Sequence, residues 1–266
     1  MLRPFPVIVV LLYLAGALTL SAAAADSRRP ATNDEVALLQ AMLQKTADDL
    51  GRWAYTEHRV VKDEKGKLKS EQLVRFDPSL PYAEQWTPIQ IDGREPSDRD
   101  RTKFRRRGEE SDPSRPKRKS RWQRPALGEV IDVARAAVAS ESATHWIFEI
   151  PLLKLGNERF PPEKFQVHVR VRKEREMLEN ISVTLRESFR SKLVMKVKSG
   201  EGSIDFAEVN PKFPPTMVAI KGDASASVFF VSIGGSVDLK RTDLKHVKPF
   251  DERFEVQIGT LKAIDF

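Results

Sequence analysis

The residues most able to do chemistry lie in one short basic segment, residues 99–124. It holds twelve Lys and Arg and four Asp and Glu, a local charge of +8. Since the whole chain carries +7, the remaining residues sum to −1. A block of charge of this kind is typical of a solvated segment that contacts an anion. The cations that we expect to make this contact, or to dock a partner, are Arg105, Arg106, Arg107, Lys117, Arg118, Lys119 and Arg121.

The rest of the sequence offers no catalytic or metal-binding pattern. The four His stand in no metal-ligand spacing, and the chain has no Cys. Residues 232–236 (SIGGS) lack the pattern of a serine nucleophile and read better as a turn between strands. We therefore expect no enzymatic activity, no metal and no cofactor. An enzyme of unrecognised type stays open as a minor alternative, which would need a cleft with convergent polar groups.

The N-terminus has the three parts of a secretory signal peptide. Arg3 precedes the uncharged apolar run 7–20, and the small residues of SAAAAD follow it. We expect a signal peptide over residues 1–25 and a polar linker over 26–31, although an uncleaved membrane anchor is the alternative. The protein would then be periplasmic or otherwise exported, with no cysteine to carry a lipid. Export favours an anionic membrane surface or an acidic envelope protein over nucleic acid as the partner of the basic segment.

Three segments are predicted to be helical. Thr32 and Glu35 have the spacing of a capping box, and apolar residues at helical period follow over residues 33–50. A short helix over 97–107 would precede a basic loop inserted at about 99–124. A further helix is predicted to begin at Pro125 and to run to residue 142, because Pro is favoured in a first helical turn.

Most of the remaining chain alternates apolar and polar residues, as exposed antiparallel strands do. Residues 52–63 and 67–78 flank a Gly-containing turn and predict a β-hairpin, with a further strand around 86–91. From residue 144 onward the pattern is almost continuous, and 165–172 shows it without error. The fold class is therefore α+β with an antiparallel β-sheet, and residues 32–266 would form a single domain.

Several large apolar residues are candidates to line a ligand cavity between the sheet and its helices. Ligand pockets are mostly apolar and commonly lie in such places. The alternative is that the same side chains fill an ordinary core. The candidates are Trp53, Trp86, Leu127, Ile131, Trp146 and Phe148.

The order of these elements, with the stretches LLQAMLQKTADDLGRWAYTEHRV, QIDGREP and ENISVTLRES, resembles the LolA/LolB-like superfamily. This superfamily comprises periplasmic lipoprotein carriers and lipid-binding envelope proteins. The resemblance implies a curved antiparallel β-sheet (a half-barrel) of about ten strands, with two or three helices on its concave face. It also implies an apolar cavity for acyl chains.

These observations lead to one functional expectation and one alternative. We expect a periplasmic binding protein for a lipid, a lipoprotein acyl chain or another apolar ligand, whose basic loop meets anionic head groups. The alternative is an envelope protein–protein interaction or sensor module without a small ligand, in which the basic segment docks an acidic partner.

Overall fold

The computed structural model describes residues 28–115, 130–153, 161–191, 195–228 and 231–253. The expected signal peptide (1–25) and residues 254–266, at the end of the predicted run of strands, lie outside the described residues. So do Leu127, Lys117, Arg118, Lys119 and Arg121.

The described residues contain two α-helices and twelve β-strands. The helices are α1 (Asn33–Asp49) and α2 (Asp98–Ser111). The strands are β1 (Arg29–Pro30), β2 (Trp53–Asp63), β3 (Leu68–Phe76), β4 (Trp86–Ile91), β5 (Ala137–Glu141), β6 (His145–Ile150), β7 (Phe165–Arg172), β8 (Met177–Leu185), β9 (Phe189–Ser191), β10 (Met195–Ala207), β11 (Thr216–Val228) and β12 (Val231–His246).

All twelve strands belong to one antiparallel sheet. Its order is β1-β5-β6-β7-β8-β10-β11-β12-β2-β3-β4, and the short β9 pairs with β10. The expected α+β class with an antiparallel sheet is confirmed, but the strand count is twelve rather than ten. The sheet is also open and uncurled rather than rolled into a half-barrel. The strands β1 and β9 are two and three residues long, too short for an alternating pattern to reveal them.

Helix α1 begins where the sequence predicts. The Thr32 Oγ1 accepts a hydrogen bond from the Glu35 backbone N–H (3.3 Å), and the Glu35 carboxylate accepts one from the Thr32 N–H (2.8 Å). Arg29 also donates two hydrogen bonds to Glu35, at 2.7 and 2.6 Å. The Arg29 guanidinium, above all, holds the pKa of Glu35 at about 2, and the Thr32 donors add to that effect.

The helix predicted over residues 125–142 is wrong from residue 131 onward. Residues 137–141 form β5, which pairs with β6 and with β1. Ile131, Ala136 and Val138 are buried whereas Ala134 is exposed, and this pattern does not follow the helical spacing of residues 131, 134 and 138. Pairing with two neighbouring strands supplies backbone partners that outweigh the helical preference of the Ala-rich segment.

The short helix predicted over 97–107 is present as α2, and it extends further, to Ser111. The first half of the expected basic loop is therefore helical. Phe104 is buried and faces Val74 and Ile91, so this basic helix is held to β3 and β4. None of the helices in the described ranges is long and apolar enough to cross a membrane.

Gly108 lets α2 approach the chain before β4 very closely. A Cβ at residue 108 would lie 1.8 Å from the Tyr82 carbonyl oxygen, which no side chain tolerates. The helix packs along the short turn Tyr82–Glu84 and along β4. A glycine in the last turns of α2 is therefore required by packing rather than by backbone conformation.

Candidate functional site

Both helices lie on the same face of the sheet, which we call the helical face. Residues directly opposite each other on antiparallel strands point to the same side. One row of such partners crosses the sheet from the core beneath α1 to the core beneath α2. It runs Val138, Phe148, Val169, Ile181, Ile204, Ile220, Leu239, Arg59, Gln72 and Ile91.

The two ends of this row are buried, but its middle is not. Ile181 is 3% exposed in the α1 core, and Ile91 is 6% exposed in the α2 core. The three aliphatic residues between them, Ile204, Ile220 and Leu239, are only half-buried. We call these three residues the central row. Among the strands, α1 contacts chiefly β8 and α2 contacts chiefly β4, which lie on either side of the central row.

A cation stands at one end of the central row. Arg59 lies directly opposite Leu239 and shares the helical face with it. It is exposed, and its side chain makes no hydrogen bond or ion pair within the described residues. An apolar surface that ends at a free guanidinium is suited to an amphiphile with an anionic head group.

Three of the six apolar residues proposed from the sequence lie in the packed core. Trp53, Ile131 and Phe148 are exposed by 1%, 3% and 0%, respectively. Trp146 is half-buried against the α1 core, and the Lys173 ammonium lies 4.9 Å from its ring centroid. Three of the six candidates therefore have almost no surface to offer a ligand in this arrangement.

Trp53 is fixed by contacts within the protein. Its Nε1–H donates to Asp49 Oδ2 (2.7 Å), and its ring packs edge-on against Phe213 and His246. His246 also bonds Asp49 Oδ1 at 3.0 Å through its Nε2. These contacts tie the C-terminal end of α1 to the first residue of β2 and the last residue of β12, which is a structural role.

The structure brings together Trp86, a predicted cavity residue, and Arg107, a predicted anion contact. The Arg107 guanidinium carbon lies 3.6 Å from the Trp86 ring centroid. Trp86 packs on Phe76 with 4.4 Å between the ring centroids, and Phe76 packs on Tyr55 with 5.1 Å between theirs. The guanidinium of Arg241 covers the Tyr55 ring at 3.7 Å. The result is a ladder of three rings with an arginine at each end.

This ladder includes a buried charge. Arg241 Nη2 donates to Glu57 Oε2 at 3.5 Å, and both side chains are almost fully buried. The Arg241 Nε has no hydrogen-bond partner within the described residues. Burial raises the pKa of Tyr55 to about 12, although the nearby Arg241 opposes that rise.

The other basic residues of α2 face solvent. Arg105 and Arg106 are exposed, and Arg105 pairs with Glu109 at 3.8 Å. Arg99, Lys103 and Arg106 are spaced at i, i+4 and i+7 and so share one side of the helix, roughly opposite Phe104. These three cations have no ion pair among the described residues. They form the outward basic stripe of α2.

The opposite face of the sheet carries a polar trough with a volume of about 650 Å³. It crosses β8, β10, β11, β12 and β2. The side chains that define it are His58, Val60, Lys62, Ser182, Thr184, Glu201, Ser203, Lys221, Asp223, Ser236, Asp238 and Lys240.

The described residues hold no cluster of three or more potential metal ligands. His58 contacts Glu71 (2.7 Å), His145 contacts Glu179 (2.9 Å), and His246 contacts Asp49 as above. Each of these imidazoles is engaged with a single carboxylate, an arrangement that serves as an ordinary ion-pair or hydrogen-bond contact.

Sequence reasoning missed the central row and Arg59. Alternation identifies Ile204, Ile220 and Leu239 as inward residues of their own strands, and it puts Arg59 on one face of β2. It does not reveal that β12 returns to pair with β2, more than 170 residues earlier in the chain. That pairing alone sets Leu239 beside Arg59.

The chain matches no family model, no curated protein and no solved structure. The resemblance to the LolA/LolB-like superfamily stays a prediction.

Proposed function

We propose that the protein is an envelope binding protein for an anionic amphiphile, such as a fatty acid or a lipid acyl chain. The single observation that carries the proposal is the half-buried central row, Ile204, Ile220 and Leu239, between two closed cores on the helical face. Leaving three large aliphatic side chains in partial contact with water forgoes hydrophobic stabilisation. An acyl chain laid along the row would recover it.

Arg59 supports an anionic rather than a neutral ligand. It lies beside Leu239 and has no described ion-pair partner, so a carboxylate or phosphate at this end would gain a charge-assisted hydrogen bond. The outward basic stripe of α2 would add attraction to an anionic membrane surface, from which such a ligand is taken or to which it is delivered. The export that we expect from the N-terminal sequence would bring the protein to a compartment where such surfaces occur.

The test is native mass spectrometry of the mature protein after purification and after incubation with oleate. We expect a bound species with the mass of oleate or of a co-purified lipid. The double variant Ile220→Gln, Leu239→Gln should lose most of it. The matched control Val209→Gln alters a 42%-exposed aliphatic residue in the loop after β10 and should bind as the unaltered protein does.

A second experiment tests whether Arg59 recognises the anionic head group of the ligand. Arg59→Gln should weaken oleate binding about tenfold, as expected for loss of one charge-assisted contact, and should leave binding of the neutral alcohol oleyl alcohol unchanged. An apo mass under all conditions, or equal oleate binding by the double variant and the control, would overturn the proposal.

The outward basic stripe supports a second candidate, docking of an acidic envelope protein. Arg99, Lys103 and Arg106 are exposed, aligned and unpaired within the described part of the chain. In that case the triple variant to Gln would abolish a salt-sensitive association seen in pull-downs at low ionic strength, and oleate binding would be unaffected.

A further inference from the structure

The polar trough on the face opposite the helices has an unsatisfied acceptor at its floor. The Asp238 Oδ1 is buried from solvent, and it has no hydrogen-bond partner among the described residues. Leaving a buried carboxylate oxygen without a donor is costly, and native proteins rarely do so without a functional reason. Because this oxygen is covered by the protein, a ligand does not reach it directly, but a positive charge placed beside the half-buried Asp238 carboxylate would stabilise the whole group.

Nearby lysines could supply that donor but do not. Lys221 is the residue directly opposite Asp238 on β11, and Lys240 lies two residues along β12 on the same side. Opposed residues have Cβ atoms about 5 Å apart, and alternate residues of one strand are about 7 Å apart. Neither lysine forms an ion pair with Asp238, and both stay exposed. Their ammonium groups therefore remain available to an anion.

Carboxylates and cations balance in the trough. Three Lys (Lys62, Lys221 and Lys240) face three acids (Glu201, Asp223 and Asp238). Glu201 and Asp223 are directly opposite each other on β10 and β11, and two like charges in that relationship repel. A positive group between the carboxylates would relieve this repulsion. A ligand of a single charge would be attracted by one half of the lining and repelled by the other.

We propose that the trough binds a zwitterionic ligand whose ammonium sits among Asp238, Asp223 and Glu201 and whose phosphate or carboxylate contacts Lys221 and Lys240. The hydroxyl groups of Ser182, Thr184, Ser203 and Ser236, which both donate and accept, line the rest of the cavity. A volume of about 650 Å³ falls within the usual range for small-molecule sites. This site lies on the other face from the central row and does not depend on the function proposed above.

The experiment titrates the full mature protein with four small probes and follows binding by calorimetry and by backbone amide NMR shifts. O-Phosphoethanolamine and glycylglycine carry both charges, whereas ethylamine carries only the positive one and inorganic phosphate only the negative one. We expect at least one zwitterion to bind about tenfold more tightly than either singly charged probe, with shifts confined to β8, β10, β11, β12 and β2. The zwitterion that binds better tells whether the anionic end is a phosphate or a carboxylate.

Asp238→Asn decides whether the carboxylate recognises the ligand or merely supports the fold. We expect it to weaken zwitterion binding about tenfold or more, since a charge-assisted contact is lost. The apo variant should be at least as stable as the unaltered protein, because a buried, unpaired carboxylate is removed. The control Asp243→Asn makes the same change on the same strand outside the trough and should bind normally.

Three results would overturn the proposal. The first is binding of ethylamine or phosphate as tightly as the zwitterions. The second is the absence of any binding by all four probes at millimolar concentration. The third is an Asp238→Asn variant that keeps full affinity, or that loses stability without ligand, which would make Asp238 a structural residue.

Discussion

The guanidinium of Arg107 stacks on the indole of Trp86, with 3.6 Å between the guanidinium carbon and the ring centroid. Arg107 belongs to the basic helix α2 and Trp86 is the first residue of the edge strand β4. This contact continues a ladder of rings, Trp86, Phe76 and Tyr55, whose far end is covered by Arg241 of β12. Arg105, Arg106 and Arg107 are all exposed, but Arg107 is the one of the three whose guanidinium covers an aromatic ring.

Replacing Arg107 should destabilise the protein, since the cation–π contact with Trp86 would be lost. We expect Arg107→Ala to lower the free energy of unfolding by about 1 kcal/mol, and Arg107→Lys to lower it by less. Urea titration followed by Trp fluorescence measures both changes. Arg106→Ala is the matched control, and its effect should stay within about 0.5 kcal/mol. Equal effects at positions 106 and 107 would contradict a stabilising role for the stack.

Gly108→Ala should destabilise α2 although alanine is the better helix former. Its Cβ would meet the Tyr82 carbonyl oxygen at 1.8 Å, and overpacking of this kind costs about 1–3 kcal/mol. The gain in helix propensity is only about 1 kcal/mol, so a net loss is expected. Gly51→Ala is the control, because nothing lies within 4 Å of its added Cβ. Thermal unfolding compares the two, and a Gly108→Ala protein of unchanged Tm would disprove the close approach.

Thr32→Ala should weaken the start of α1, because the Glu35 N–H would lose its side-chain acceptor. The expected loss is about 1 kcal/mol in the free energy of unfolding, measured by denaturant titration. Thr32→Ser keeps the hydroxyl group and should restore nearly all of the stability. If the serine variant were as unstable as the alanine variant, the capping hydrogen bond would not be the cause.

The low pKa of Glu35 should make the free energy of unfolding decrease in acid. Its folded pKa is about 2, against an ordinary value of 4.5, chiefly because of the Arg29 hydrogen bonds. The contribution of Glu35 to the free energy of unfolding is complete above about pH 4.5. It is lost as the pH falls towards 2, because Glu35 is protonated in the unfolded chain at a higher pH than in the folded protein. Glu35→Gln should flatten the stability profile between these values. Glu110→Gln, on the exposed part of α2, should leave the profile unchanged.

The raised pKa of Tyr55 should make the free energy of unfolding decrease at alkaline pH. Burial holds its pKa at about 12, above the ordinary value of 10. As the pH rises from 10 to 12 the unfolded chain releases this proton while the folded protein keeps it, so folding loses free energy. Tyr55→Phe should reduce that loss. The measurement belongs in a Tyr82→Phe background, because burial and a hydrogen bond to Asp251 also raise the pKa of Tyr82. An unchanged alkaline profile would show that Tyr55 is accessible.

Local signals in the sequence determined several elements correctly. The capping box at Thr32 and Glu35 marked the start of α1, and the alternation of residues 52–63 and 67–78 predicted the β2–β3 hairpin. These features depend on backbone geometry and on neighbours a few residues apart, and such information is present in a short window of sequence. The same local signals failed at β5, where apolar residues at helical spacing became a strand paired on both sides.

Only the tertiary structure decided which residues meet. The ring ladder joins residues of β2, β3, β4, β12 and α2, and the central row joins β10, β11 and β12 beside Arg59 of β2. The sequence placed Trp53 and Phe148 among the cavity candidates, but packing buried them, because size and polarity alone do not separate a core residue from a ligand contact. For the longer strands, such as β7, the alternation in the sequence itself determined which residues share a face. The order of the strands in the sheet, which long-range pairing sets, decided which faces became cores and which became candidate binding surfaces.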